Sequence, residues 1–391
     1  MQKIRIGVIG MGNMGTYHIQ YLHNGEIEGA MLAAVSDPNE ARLRWSKEHL
    51  GEQVHTFDNA EAMMASGSVD AVLIAVPHLE HANLAIKAFS YGLHVLCEKP
   101  AGVYTKNVRQ MNEAAAASGK VFSMMFNERT NPLYQKLKEL IGSGELGELK
   151  RSIWIVTNWY RSQSYYNSGS WRATWAGEGG GVLINQATHQ LDLWQWIMGM
   201  MPTRMRAFCS FGKYRNIEVE DDVTAYLEFD NGATGLFVTT IGEAPGTNRL
   251  EVSGDRGKIV IEDGKLTFWR LTVSEAQFNQ EYKGGFGSPE CRKYEIPIKA
   301  DGNEFGGHHA IVQNFADAVL KGTPLIVPGE EGINGLILSN AMLLSTWTDN
   351  WVHLPIDEDL YLDKLQERIQ QSTFIKPAKT AVTVDMSSSK S

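Results

Sequence analysis

Residues 4–15 read IRIGVIGMGNMG, a short apolar run that ends in Gly10-Met11-Gly12-Asn13-Met14-Gly15. Glycine-rich turns are common, so this GxGxxG spacing takes its meaning from its setting. An apolar strand leads into it, a helical pattern leaves it, and a second strand follows, which is the setting of a dinucleotide-binding turn. Gly10 permits the tight turn, Gly12 lets the backbone approach a pyrophosphate, and Gly15 lets helix and strand pack closely. The helix that opens at Asn13 and Met14 offers free N–H groups and a partial positive charge to phosphates. A purely structural glycine turn is the competing reading, and the setting makes it the weaker one.

Outward from the turn, apolar runs at Ile4–Ile9, Met31–Val35, Ala71–Val76, His94–Cys97 and Val121–Phe126 alternate with helical patterns such as His81–Tyr91 and Thr105–Ser118. Continuous apolar strands joined by helices predict a parallel sheet covered on both faces. That is a doubly wound α/β Rossmann domain over residues 1–126. The second strand ends at Ser36-Asp37-Pro38, where a carboxylate accepts hydrogen bonds from the adenosine ribose. Its charge repels the extra phosphate of NADP and no arginine immediately follows, so the expected cofactor is NAD. Capping of the next helix is the rival role for Asp37.

After about Phe126 the pattern changes. A helix over Pro132–Ile141 precedes a long strand at Lys150–Tyr160 and an aromatic-rich segment to Trp175. From Arg204 strands dominate, with turns at Asp230-Asn231-Gly232, Asp255-Arg256-Gly257 and Asp263-Gly264 that supply the positive φ of tight hairpins. Helical patterns return at Gly307–Leu320 and Gly332–Asp349. Residues 127–360 are thus predicted to form an α+β substrate-binding and oligomerisation domain with a largely antiparallel open sheet. Residues 361–391 are read as an extension that ends in a frayed tail, SSSKS.

A chain of 391 residues accommodates two such domains. No apolar run approaches the roughly 20 residues of a membrane-spanning helix. The formal charge of −9 argues against nucleic acid or an anionic membrane as partner, since both call for a basic surface. Three widely spaced cysteines, Cys97, Cys209 and Cys291, suit free thiols in a reducing cytoplasm. The opening MQKIRIGVIG lacks signal-peptide architecture, which points the same way.

Two stretches carry candidate chemistry. The strand His94–Cys97 ends in Glu98-Lys99-Pro100, and a lysine there points into the crevice where doubly wound folds bind ligands. Near a nicotinamide, Lys99 would polarise a carbonyl and stabilise an alkoxide. The alternative is a solvated turn. The second stretch, Gly177–Trp196, reads GEGGGVLINQATHQLDLWQW. Asn185 and His189, four residues apart, are predicted to share a helix face and look into one cavity. The glycines are expected to let backbone pass close to ligand, and Asp192 to stabilise the helix. Among the aromatics of Trp154–Trp175, Tyr160 or Tyr166 is the expected platform for the apolar face of a sugar ring, on a loop that is also a candidate lid. Neither His78-Leu79-Glu80-His81 nor His308-His309 has zinc-site spacing, so no metal is assigned.

The combination of Gly10–Gly15, Val76-Pro77 with His81, Gly92-Leu93-His94-Val95 and Glu98-Lys99-Pro100 resembles the glucose–fructose oxidoreductase/inositol dehydrogenase (Gfo/Idh/MocA) family. Trp171-Arg172 and Gly179-Gly180-Gly181…His189…Asp192 extend the resemblance, which runs to about Pro355. It implies NAD(P)-dependent oxidation or reduction of a hydroxyl on a sugar, glycoside or cyclitol. It implies that Lys99 contacts the reacting oxygen and that His189 is the general acid/base. Trp171 and Arg172 would reach the cofactor, Pro77 and Glu98 would line the nicotinamide side, and the open sheet would pair subunits into a homodimer or homotetramer. Two positions depart from the family pattern. Asn185 stands where many members carry Asp, and a neutral amide orients groups without raising histidine basicity, so Asn185 is expected to bind substrate hydroxyls. His78 stands where many read Asn, a change with no evident chemistry in the sequence. Two other classes stay open: an NAD-dependent glycoside hydrolase working by transient oxidation and elimination, and a non-catalytic NAD-binding sensor.

Overall fold

The computed structural model describes residues 3–169, 171–298 and 307–372. Six strands, β1 (Ile4–Ile9), β2 (Ala30–Ser36), β3 (His55–Phe57), β4 (Ala71–Ile74), β5 (His94–Cys97) and β6 (Phe122–Met124), form the first sheet. Their order is β3-β2-β1-β4-β5-β6 and every pair is parallel. The direction of winding reverses between β1 and β4, which opens a ligand crevice at the carboxyl ends of the strands. The connections hold helices α1 (Asn13–His23), α2 (Glu40–His49), α3 (Ala60–Ala65), α4 (His81–Ser90) and α5 (Thr105–Ser118). The short β3 escapes the sequence reading, whereas α2 is the helix expected after Asp37, with Leu43 and Trp45 packed against the first core.

The second half begins with α6 (Pro132–Gly142), β7 (Leu149–Val156), α7 (Gln163–Asn167) and α8 (Thr188–Met198). Strands β8 (Arg204–Phe211), β9 (Glu220–Glu228), β10 (Thr234–Thr240), β11 (Asn248–Gly254), β12 (Gly257–Glu262) and β13 (Lys265–Leu271) follow. The described chain then runs through α9 (Glu275–Glu281), β14 (Cys291–Ile296), α10 (His308–Lys321), α11 (Gly332–Thr348), β15 (Val352–His353) and α12 (Glu358–Gln371). Nine strands form one sheet in the order β14-β13-β12-β11-β7-β10-β9-β8-β15. All neighbours are antiparallel except β7 and β10. The α/β plus largely antiparallel α+β architecture is therefore present as expected.

Three expectations change. The strand β7 stops at Val156, where its pairing with β11 ends, so Trp159 and Tyr160 lie in the following loop. Helix α10 falls inside the predicted second domain, yet Ile311, Val312 and Phe315 pack into the first-domain core. Its apolar stripe announced a helix without saying which sheet it covers. Residues 358–371 form α12, anchored by buried Tyr361 and Leu365 and by Lys106–Asp359 and Arg109–Glu358 ion pairs to α5. The SSSKS tail lies outside the described residues.

The two domains meet at Arg129, in the turn after β6. Its guanidinium is wholly buried and forms a two-pronged pair with Asp192 of α8, at 2.8 and 2.7 Å, and a further pair with Glu331. A buried charge of this kind is tolerated only when its donors are matched by acceptors.

Candidate active site

The glycine turn is shaped as its sequence requires. Gly10 has φ +92°, and a Cβ there would lie 2.4 Å from the Ala75 carbonyl oxygen. A Cβ on Gly15 would lie 1.8 Å from the Gly10 carbonyl oxygen, so helix and strand meet with no room for a side chain. Gly12 is different: a Cβ there meets nothing within 4 Å. No side chain caps α1, so this open space lies beside uncapped helix N–H groups at exposed Asn13 and half-buried Met14. The cradle fits a pyrophosphate.

Asp37 directly follows β2 and is buried beside this turn. Its carboxylate accepts the Met11 N–H at 2.8 Å and the Asn39 N–H at 2.9 Å. The cap of α2 is Asn39, which accepts the Ala41 N–H. Arg42, five residues on, also pairs with Asp37 at 2.8 Å. The sequence reading looked for an arginine immediately after Asp37; one helical turn brings this one back.

At the end of β5, Glu98 is fixed from both sides. His18 of α1 donates from Nε2 to Oε1 at 2.6 Å, and the Lys99 N–H donates to Oε2 at 3.1 Å. Although burial opposes the charge, the His18 hydrogen bond and nearby cationic groups hold the Glu98 carboxyl at about 2. The helix behind the phosphate cradle and the strand end that presents Lys99 are thus joined through His18, a link the sequence did not signal. Pro77 is exposed just beyond β4, and the ring nitrogens of His81 span the Val76 and Pro100 carbonyl oxygens at 2.8 and 2.7 Å.

Lys99 Nζ donates to the Asn185 carbonyl oxygen at 3.0 Å. Burial lowers its pKa, with Arg172 and Arg161 pushing the same way and Glu98 and Glu178 opposing. Burial also pushes His189 well below the ordinary imidazole value, and the Lys99 charge adds to the effect. His189 stands edge-on to Phe126 with ring centroids 5.9 Å apart, and its buried Nδ1 has no hydrogen-bond partner among the described residues. Burial and the Lys99 charge both keep the His189 imidazole neutral.

The second glycine run differs from expectation. Helix α8 begins at Thr188, so Asn185 lies in the preceding turn and does not share a helix face with His189. The close approaches of the glycines are to protein: a Cβ on Gly179 would sit 2.2 Å from Val103, and one on Gly181 would sit 2.0 Å from the Glu220 carbonyl oxygen. The Glu220 carboxylate accepts the Gly181 and Leu183 N–H groups at 2.8 and 3.1 Å, while burial raises its pKa to about 7. The Asn185 amide donates to Glu178, which also accepts the Ala173 N–H. A carboxylate therefore stands one link behind Asn185, at the buried acid inside the glycine run itself.

The aromatic segment sorts its members differently from the sequence reading. Tyr166 is buried in the second-domain core, which removes it as a substrate platform. The hydroxyl of its neighbour Tyr165 accepts from Arg172 at 2.8 Å and from the Asn185 amide at 3.4 Å. Tyr160 is half exposed, with the Arg215 guanidinium 4.9 Å from its ring centre. The Arg172 guanidinium lies 4.5 Å from both the Tyr165 and Trp171 rings. Trp171 stands edge-on to His78 at 5.2 Å, so the departure at His78 packs the first domain against the Trp171-Arg172 pair. Among the described residues, no group of three or more His, Cys, Asp or Glu is placed to hold a metal ion.

Comparison with known proteins matches this geometry to a lineage. Residues 4–126 match the oxidoreductase family with an NAD-binding Rossmann fold, and residues 134–260 match the GFO/IDH/MocA C-terminal domain. The chain belongs to the Gfo/Idh/MocA family. It is an NAD-dependent oxidoreductase of the CH–OH-acting kind. Myo-inositol 2-dehydrogenase of Thermotoga maritima is 28% identical over 86% of this chain and 95% of its own length. Scyllo-inositol 2-dehydrogenase (NAD(+)) of Bacillus subtilis is 27% identical over 85% and 91%. Among solved structures, the WlbA dehydrogenase of Chromobacterium violaceum, in complex with NADH and UDP-GlcNAcA, is 27% identical. It superposes with a TM-score of 0.77 over 91% of this chain and 97% of that one.

Proposed function

We propose that this family member interconverts a secondary alcohol and a ketone on a sugar, glycoside or cyclitol, with Lys99 and His189 managing the hydroxyl proton. The observation that carries the reading is Lys99 Nζ, fixed by the Asn185 carbonyl at the carboxyl end of β5, in the electrostatic reach of a neutral His189. NAD, bound at the Gly12 cradle and Asp37, supplies the hydride acceptor or donor. The lysine ammonium stabilises the oxygen as negative charge develops there, and a His189 ring nitrogen takes the proton. Glu98 and His18 hold the lysine's backbone in place. Glu178, through Asn185, orients the carbonyl that holds Nζ. Trp171, Arg172, Pro77 and Glu98 make the wall on the nicotinamide side, and Tyr165 and Tyr160 face substrate.

The open sheet leaves Phe208, Phe211 and Tyr226 of β8 and β9 exposed, which supports pairing of subunits into a homodimer or homotetramer. The three cysteines are free thiols, which fits a cytoplasmic setting. Among the described residues no helix is long and apolar enough to cross a membrane.

A panel of inositols, sugars and glycosides, assayed for NADH formation, tests the reaction. At least one polyol is expected to give NADH with no cleavage product. Release of an aglycone without NADH would replace oxidation with redox-neutral elimination. The proton acceptor must be neutral to work, and burial lowers its pKa, so the acid limb of kcat/KM for oxidation is expected below the ordinary imidazole value of 6.5. An acid limb at or above 6.5 removes His189 from the role.

A further inference from the structure

Resting on the alcohol-oxidation reading, we propose that the substrate is anionic: a sugar or cyclitol carrying a carboxylate or phosphate, whose charge is held between Arg161 and Arg215. The chain has a formal charge of −9, so carboxylates are plentiful, and Arg5, Arg42, Arg129, Arg204 and Arg249 each face one. Among the described residues, Arg151 and Arg368 meet only neutral acceptors, and so do three arginines on the substrate side of the site. Arg161 bonds to the Tyr160 carbonyl oxygen, Arg172 to the Tyr165 hydroxyl, and Arg215 to the carbonyl oxygens of Arg161 and Tyr214. Among the described residues none of these three has an ion-pair partner. Clustered cations repel one another, and a bound anion relieves the repulsion.

A place for the anion lies beside them. An open cavity of about 610 Å³ is lined by Tyr160, Ser162, Gln163, Tyr214, Arg215 and Asn216, among others. Its floor is fixed in advance. The buried Asp221 carboxylate accepts the N–H groups of Lys213, Tyr214 and Arg215 at 3.0, 2.7 and 3.3 Å, which fixes the course of the loop backbone. Gln163 bonds both the N–H and the carbonyl oxygen of Asn216, joining the loop to α7. Lys213 is paired with Asp222, which leaves Arg215 as the cation of the lining without an ion-pair partner among the described residues, and Arg161 adjoins it through the Arg161 carbonyl oxygen.

Arg161, Tyr165 and Asn185 stand in series between the cavity and the reacting lysine. Arg161 lies 5.3 Å from the Tyr165 ring centre, the Tyr165 hydroxyl meets the Asn185 amide, and the Asn185 carbonyl holds Lys99. Phosphates of the cofactor belong at the Gly12 cradle in the first domain, which leaves Arg161 and Arg215 for the substrate. Guanidinium groups bind carboxylate and phosphate through paired N–H donors. An exposed tyrosine beside them presents a face for the sugar ring.

Matched probes separate the possibilities: glucose against glucuronate, glucose against glucose 6-phosphate, and myo-inositol against an inositol monophosphate. Each is measured on the protein–NAD complex by NADH formation and by calorimetry. In at least one pair the anionic member is expected to have about tenfold higher kcat/KM or affinity, equivalent to roughly 1.4 kcal/mol. The preference should shrink with added salt and fall below about threefold in an Arg161→Gln, Arg215→Gln double variant. The single variants, each at a partly exposed position, serve if the double variant does not fold. A carboxylate-only or phosphate-only preference identifies which anion the site takes. Neutral probes that equal or exceed the anionic ones, a preference unmoved by the substitutions, or no binding of any probe overturns the proposal. NADH from neutral polyols alone leaves alcohol oxidation standing and removes the anion site. Arginine-dependent binding of an anion without NADH from any probe does the reverse.

Discussion

A methyl group placed on Gly12 meets nothing within 4 Å, whereas one placed on Gly181 would sit 2.0 Å from the Glu220 carbonyl oxygen. Both glycines lie in glycine-rich turns that lead into helices carrying candidate chemistry. In the first turn Gly10 and Gly15 press against protein so that Gly12 can stay open to a ligand. In the second, Gly179, Gly180 and Gly181 all press against protein, namely Val103, Ile184 and Glu220. A glycine in a sequence announces a close approach without saying whose atoms approach. The second run is a scaffold: it seats Glu178 and Asn185 so that a carbonyl oxygen is left for Lys99.

The largest expected effect tests whether α8, which follows the second run, is held by the domain joint. Arg129→Met leaves Asp192 buried without its partner and should cost about 3–5 kcal/mol, read by chemical denaturation. A loss below about 1 kcal/mol would show that the joint is not closed. Next comes the lysine that the scaffold holds. Lys99→Met should lower kcat roughly 10²–10³-fold while the denaturation midpoint stays near that of the parent. An unchanged kcat would detach the second run from catalysis.

The comparison itself is tested by twin substitutions. Gly181→Ala overpacks a backbone contact and should cost about 1–3 kcal/mol of stability. Gly12→Ala should leave the midpoint unchanged and raise KM for NAD, because its methyl occupies the cradle. If both substitutions destabilise alike, or both spare stability, the distinction between the turns fails. The smallest effect lies at Ala173, which has φ +56° between Arg172 and Thr174. Ala173→Gly relieves left-handed strain of about 1–2 kcal/mol, largely offset by greater unfolded-chain freedom, so a gain of no more than about 1 kcal/mol is expected. A clear loss in thermal denaturation would mean that the Ala173 methyl supports the scaffold.

Features that depend on chain-local chemistry were legible in the sequence. Strand β1, the Gly10–Gly15 turn, Asp37 and the strand-end Lys99 follow from periodicity and spacing within short windows, and hairpin glycines announced the antiparallel sheet. What stayed hidden depends on pairs far apart in the chain. His18 meets Glu98 across 80 positions, Arg129 meets Asp192 across 63, and α10 returns from the far end of the chain to cover the first sheet. Nothing at either partner's position marks the other. Between these extremes lie near misses. Glu178 sits inside the stretch that drew attention and Tyr165 sits beside Tyr166, but one residue of register separates a core ring from one that meets Arg172 and Asn185.

Asp192, which clamps Arg129, stands three residues after His189 on α8, less than one helical turn away. The proposed acid–base group therefore lies next to a buried joint between the two domains. Were the domains to rotate about that joint, His189 would be displaced far less than the outer strands of either sheet. The lever arm is short where alignment matters most.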